Sequence, residues 1–154
     1  MLDVVTLLAS EGVSVDVFTG RATAYNLVET LFAQKFPARV PRLHTIVQYY
    51  RPSTEGAVHF FERVELLDPD GKNVLGGSEQ EITITSRFHT SLHNAWNIVL
   101  AKGGDYMLTV STAETKDGPW TLARRRVILV EQAPHPLMPP TASEPPAPPK
   151  EGLS

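Results

Sequence analysis

The sequence predicts an all-β domain, an antiparallel β-sandwich of about seven to nine strands. Three observations carry that expectation. Short β-rich runs recur along the chain, among them Val58–Leu67, Glu79–Arg87 and Asp105–Thr112. Within them apolar and polar residues alternate, as in strands with one face in a core and one in water. Turn signals separate them at a spacing that suits a sandwich better than strand–helix–strand units.

The elements follow in order. Val58, Phe60, Val64 and Leu66 form one apolar row, which Glu62 interrupts. An unpaired buried carboxylate costs several kcal/mol, roughly, so Glu62 is expected at a bulge or paired with an arginine. Glu65 is expected on the opposite side. Asp68-Pro69-Asp70-Gly71 reads as a β-turn, with proline presetting φ and glycine supplying positive φ. Ile82, Ile84 and Phe88 share a predicted face. Leu92, Trp96, Ile98 and Leu100 form another, interrupted by Asn94. Tyr106, Leu108 and Val110 alternate cleanly with Met107, Thr109 and Ser111. Leu122–Val130 is the last predicted strand, basic at its start and apolar at its end. Residues 24–36 stay open between two states. Apolar residues at 24, 27, 28, 31 and 32 have helical spacing, and read as a strand the segment alternates poorly.

A domain boundary is expected near residue 131. From Gln132 onward the chain holds eight of its thirteen prolines and few large apolar groups, so residues 132–154 are expected to be a disordered or polyproline-II tail. Residues 1–131 are enough for a self-sufficient core.

Composition narrows the chemistry. The chain has no cysteine, which removes disulfides, thiolate metal sites and cysteine nucleophiles. A formal net charge of −3 argues against a dedicated nucleic-acid binder, which needs a dense cationic surface. The first residues lack the basic start of a signal peptide, and no run approaches a membrane span. The expectation is a cytoplasmic protein with no membrane partner and no cofactor.

No catalytic motif lies over the strands. His89 and His93 have the spacing of two ligands on a helical face, but they fall in a predicted strand, where that geometry is lost. Asp68 and Asp70 begin like a calcium loop, yet Lys72 stands at a ligand position and Asn73 where glycine is required. These four are the metal candidates, and their plainer reading is turn, capping and core-edge residues. Arg124 and Arg126 share a predicted face and are candidates for an anionic partner surface, or for guarding an edge strand against aggregation. Tyr50 and Trp120, near turns, are the aromatic candidates for partner binding.

The segments TGRATAYNLVETLFAQKFPARVPRL, RVELLDPDG and SLHNAWNIVLAKGGDYMLTV resemble a family of small bacterial proteins grouped as a domain of unknown function. The likeness covers roughly residues 5–130. It rests on Phe36-Pro37-Ala38, Pro41-Arg42, the Asp68–Gly71 turn and Gly104-Asp105-Tyr106. It implies a sandwich similar to immunoglobulin-like or C2-like domains, with residues 24–36 as a strand running into the Phe36-Pro37-Ala38 turn, and it carries over no catalytic residue. The leading functional expectation is a non-catalytic protein-binding or accessory module. Its partner would be another protein, or a second copy reached through an edge strand. The alternative is an enzyme or metal-dependent binder with a site in the end loops.

Overall fold

The computed structural model describes residues 2–19, 21–53 and 55–134. Nine strands carry the chain: β1 (Asp3–Val15), β2 (Ala22–Leu27), β3 (Thr30–Ala33), β4 (Ala38–Tyr50), β5 (Val58–Leu67), β6 (Val74–Ile84), β7 (Phe88–Leu100), β8 (Gly104–Ala113) and β9 (Thr121–Gln132). They form two sheets, one ordered β2-β1-β4-β7 and the other β3-β9-β8-β5-β6. There is no helix among the described residues. The predicted sandwich is present, and its pairing is antiparallel except between β3 and β9, which run parallel.

The segment with helical spacing is two strands. β2 pairs with β1 in the first sheet, and β3 pairs with β9 in the second. The chain changes sheets at Val28 and Glu29, where Val28 N–H donates to Ala9 and Leu129 N–H donates to Glu29. Val28 is buried at the crossing, and Leu31 and Ala33 then face inward. A change of sheet resets which residues meet the core. That reset mimics the three-and-four spacing of a helix. The crossing leads through a cis Phe36-Pro37 bond into β4.

Two predicted apolar rows also divide. Phe88 opens β7 rather than ending β6, and it is exposed. Leu92, Asn94 and Trp96 point outward, whereas Ile98 and Leu100 point into the core. The switch falls at Asn97, whose φ of 53° turns the strand by one residue. β4 switches with it, from Leu43, Thr45 and Val47 inside to Val40 and Ala38 inside. Pro41 lies at the switch, where a missing N–H is tolerated.

The core lies between the sheets and includes Val47, Tyr49, Ile98, Leu108, Val110 and Ile128. The Asp68–Gly71 segment is the expected turn. Gly71 N–H donates to Asp68 O at 2.9 Å, and Gly71 has φ 68°. β9 extends to Gln132, with Ala133 N–H donating to Ala33 O. The tail predicted from residue 132 otherwise lies outside the described residues, which end at 134.

Candidate functional site

Glu62 faces the interior from β5 and has no solvent exposure. It is not paired with an arginine. Oε2 accepts from the Tyr49 hydroxyl at 2.6 Å and from Ser91 Oγ at 2.9 Å. Oε1 accepts from Gln80 Nε2 at 2.9 Å and from His93 Nε2 at 2.7 Å. On the far side of the ring, His93 Nδ1 lies 2.6 Å from Ser78 Oγ. Tyr49, Ser91 and His93 come from β4 and β7 in one sheet, and Glu62, Gln80 and Ser78 come from β5 and β6 in the other. The cluster therefore bonds the two sheets through the core.

Burial opposes ionisation of Glu62. The hydrogen bonds from His93, Tyr49 and Gln80 outweigh it and hold the carboxyl below its ordinary range. The Tyr49 hydroxyl moves the other way. Burial first, then the adjacent Glu62 charge and the bond to it, hold its proton on far above the usual phenol range. With Glu62 ionised, His93 Nε2 and Gln80 Nε2 both donate to Oε1, and the two nitrogens stand 3.0 Å apart on that oxygen. In a neutral imidazole Nδ1 then accepts from the Ser78 hydroxyl.

Serine, histidine and carboxylate in a hydrogen-bonded row are the components of an activated nucleophile. The surroundings do not match that use. Beside Ser78 and His93 lies a cavity of about 10 Å³, lined by Gly76, Gly77, Leu66 and Leu108 among others. That is room for about one water.

The predicted metal candidates do not meet. Among the described residues, no three His, Cys, Asp or Glu side chains gather where they could hold an ion. His89 and His93 lie four residues apart on one strand, roughly 13 Å by strand rise, too far to share a metal. Asp68 Oδ1 accepts from the Lys72 and Asn73 amides in the turn. Asp70 pairs with Lys102 at 3.0 Å.

Arg124 and Arg126 are engaged within the chain. Arg124 donates to the Val4 and Val5 carbonyls at 2.6 and 3.2 Å. Arg126 donates to Leu7 O at 3.4 Å and pairs with Glu29 at 2.7 Å. Both reach from β9 to β1, across the side of the sandwich where β1 bulges between Val4 and Thr6. Trp120 is half-buried under the Arg63 guanidinium, 3.9 Å from the ring centroid, and Arg63 also bonds Glu79 at 2.7 Å. Tyr50 is half-buried and packs on Phe88, with centroids 5.1 Å apart.

The alternation of the sequence does not mark one surface feature. β7 ends the first sheet with only β4 beside it. Its thirteen residues, FHTSLHNAWNIVL, contain no Asp, Glu, Lys or Arg. Trp96 stands on its outer face, 60% exposed, with the Arg42 guanidinium 5.3 Å from its ring centroid. The pair borders a groove of about 380 Å³ that Val28, Leu31, Val40 and Pro41 also line. The apolar spacing around Trp96 reads as core, and only the Asn97 twist turns it outward. Val17 and Phe18 are a second exposed apolar pair, at the tip between β1 and β2.

A model of a family of unknown function, DUF6941, matches residues 6–123. The chain belongs to DUF6941. Among curated proteins none matches this DUF6941 chain. A similar solved structure is the C-terminal domain of wzt, at 14% identity and a TM-score of 0.45. The match covers 86% of the DUF6941 chain and 73% of that domain. Among the described residues no helix is long and apolar enough to cross a membrane.

Proposed function

We propose that this DUF6941 domain is a non-catalytic protein-binding or accessory module of a bacterial cytoplasm, working through the open edge of β7 and the Trp96 ridge beside it. The observation that carries the reading is the uncharged thirteen-residue edge. Open edges present unpaired backbone donors and acceptors, and chains ordinarily guard them with charge, proline or brevity. The other edges here are guarded. β6 carries Glu79 and Glu81, β2 has six residues and β3 has four. Strand addition to an open edge is a general mode of protein recognition. Tryptophan beside arginine is the composition that dominates binding energy at interfaces.

The test is affinity capture from native lysate with the full chain and with Trp96→Ser. A stoichiometric protein retained by the first and lost by the second supports the reading. No retained protein, or equal retention by both, counts against it.

A catalytic reading has one observation in its favour, the Ser78–His93–Glu62 row. It requires a substrate to reach Ser78 through a cavity that admits about one water. The two readings separate on whether Ser78 is chemically reactive.

A further inference from the structure

We infer that the strand received by the β7 edge is β7 of a second copy of this chain, antiparallel, about a two-fold axis through Leu92. The inference rests on the proposal that this edge is the binding surface, and it names the occupant.

The outward residues of β7 read, in order, Phe88, Thr90, Leu92, Asn94 and Trp96. A two-fold interface must be complementary to itself. Antiparallel pairing centred on Leu92 places Leu92 against the partner's Leu92. It places Thr90 against the partner's Asn94, and Phe88 against the partner's Trp96. Apolar meets apolar, amide meets hydroxyl, and aromatic meets aromatic. Cross-strand pairs of these kinds stabilise sheets, whereas like charges directly opposite destabilise them. β7 has no charged residue, so no like charges can face each other in this register. Phe88 and Trp96 are 57% and 60% exposed in the single chain, and the pairing covers both. The straight stretch ends at the positive-φ Asn97, just beyond the last pair. β6, the edge strand of the other sheet, is unsuited to the same role. Its outward Glu79 and Glu81 would meet acidic counterparts in a symmetric pairing centred between them.

The chain has no cysteine, so a single introduced thiol reports the register. In an antiparallel pair, directly opposed Cα atoms are about 4.5–5.5 Å apart, within disulfide reach. The full-length protein is examined by sedimentation velocity, and Leu92→Cys and Val99→Cys are compared under mild oxidation. The expected result is a dimer for the native chain, with efficient cross-linking by Leu92→Cys and little by Val99→Cys. Equal cross-linking at both sites overturns the register, and so does none at Leu92→Cys.

Two double variants test the faces, both at exposed positions and with folding checked by circular dichroism. Thr90→Glu/Asn94→Glu opposes carboxylates and should weaken the dimer at least tenfold. Thr90→Lys/Asn94→Glu opposes unlike charges and should retain it. A monomeric native chain at all concentrations overturns the inference. The wider reading then stands or falls separately, on the capture of a different protein and its loss in Trp96→Ser.

Discussion

His93 Nε2 lies 2.7 Å from Glu62 Oε1, and this contact joins the inner face of one sheet to the inner face of the other. It is the centre of a cluster in which a fully buried carboxylate accepts four hydrogen bonds. Removing one member leaves the others buried without partners, so the cluster should behave as a unit.

Glu62→Gln keeps the shape and removes the charge. It should lower stability by about 1–3 kcal/mol, the range for leaving buried hydrogen-bonding groups mismatched. Urea unfolding at neutral pH measures it. A loss under about 1 kcal/mol would mean that the cluster contributes little to holding the sheets together.

The same carboxyl predicts a pH dependence. Its folded pKa is lowered, so the unfolded chain binds the proton more readily than the folded one. Its contribution is therefore complete above the ordinary carboxylate range and is lost as pH falls through the folded value. Between about pH 7 and about pH 3, native stability should fall more steeply than that of Glu62→Gln. Parallel slopes for the two proteins would show that another group governs acid unfolding.

Arg124 closes the side of the sandwich by bonding two β1 carbonyls. It is solvent-exposed, so the bonds are partly screened. Arg124→Ala should cost about 1 kcal/mol and should speed amide exchange in the first residues of β1. Unchanged exchange there would contradict the strapping role.

Gly77 has a packing reason to be glycine. A Cβ placed there would lie 2.6 Å from the Val64 carbonyl oxygen, and backbone cannot swing aside as a side-chain tip can. Gly77→Ala should destabilise by about 1–3 kcal/mol through displacement of β6 from β5. Thermal unfolding of the variant gives the answer, and an unchanged midpoint would show that the strands part without cost.

Ser78 should be inert. An alkyl fluorophosphonate, which labels activated serines, should leave the native protein unmodified by mass spectrometry. Stoichiometric labelling that disappears in Ser78→Ala would establish a reactive serine and favour the catalytic reading.

The sandwich was legible because most strands keep one register against the core. Tyr106, Leu108 and Val110 alternate without interruption, and all three are buried as predicted. Where a strand changes parity, the pattern misleads. Residues 24–36 stayed open between helix and strand because the chain changes sheets at Val28 and Glu29. Leu92 to Leu100 read as one face because nothing in the composition marks the positive φ of Asn97. Glu62 stood out as an anomaly, but its partners are 13 to 31 residues away in sequence. Periodicity carries no information about which strands face each other across a core. Arg124 and Arg126 were visible as charge, and their bonds to β1 span 119 or 120 positions. The β7 edge was hidden for a different reason. An edge is a property of strand order, which alternation does not encode.

The most direct test of the account compares capture by three forms of the full chain: native, Ser78→Ala and Trp96→Ser. Native and Ser78→Ala should retain the same protein in equal amount, a second copy of this chain included, and Trp96→Ser should lose it. Retention by Trp96→Ser, or loss from a folded Ser78→Ala, would contradict the assignment of function to the β7 edge and of structure to the buried cluster.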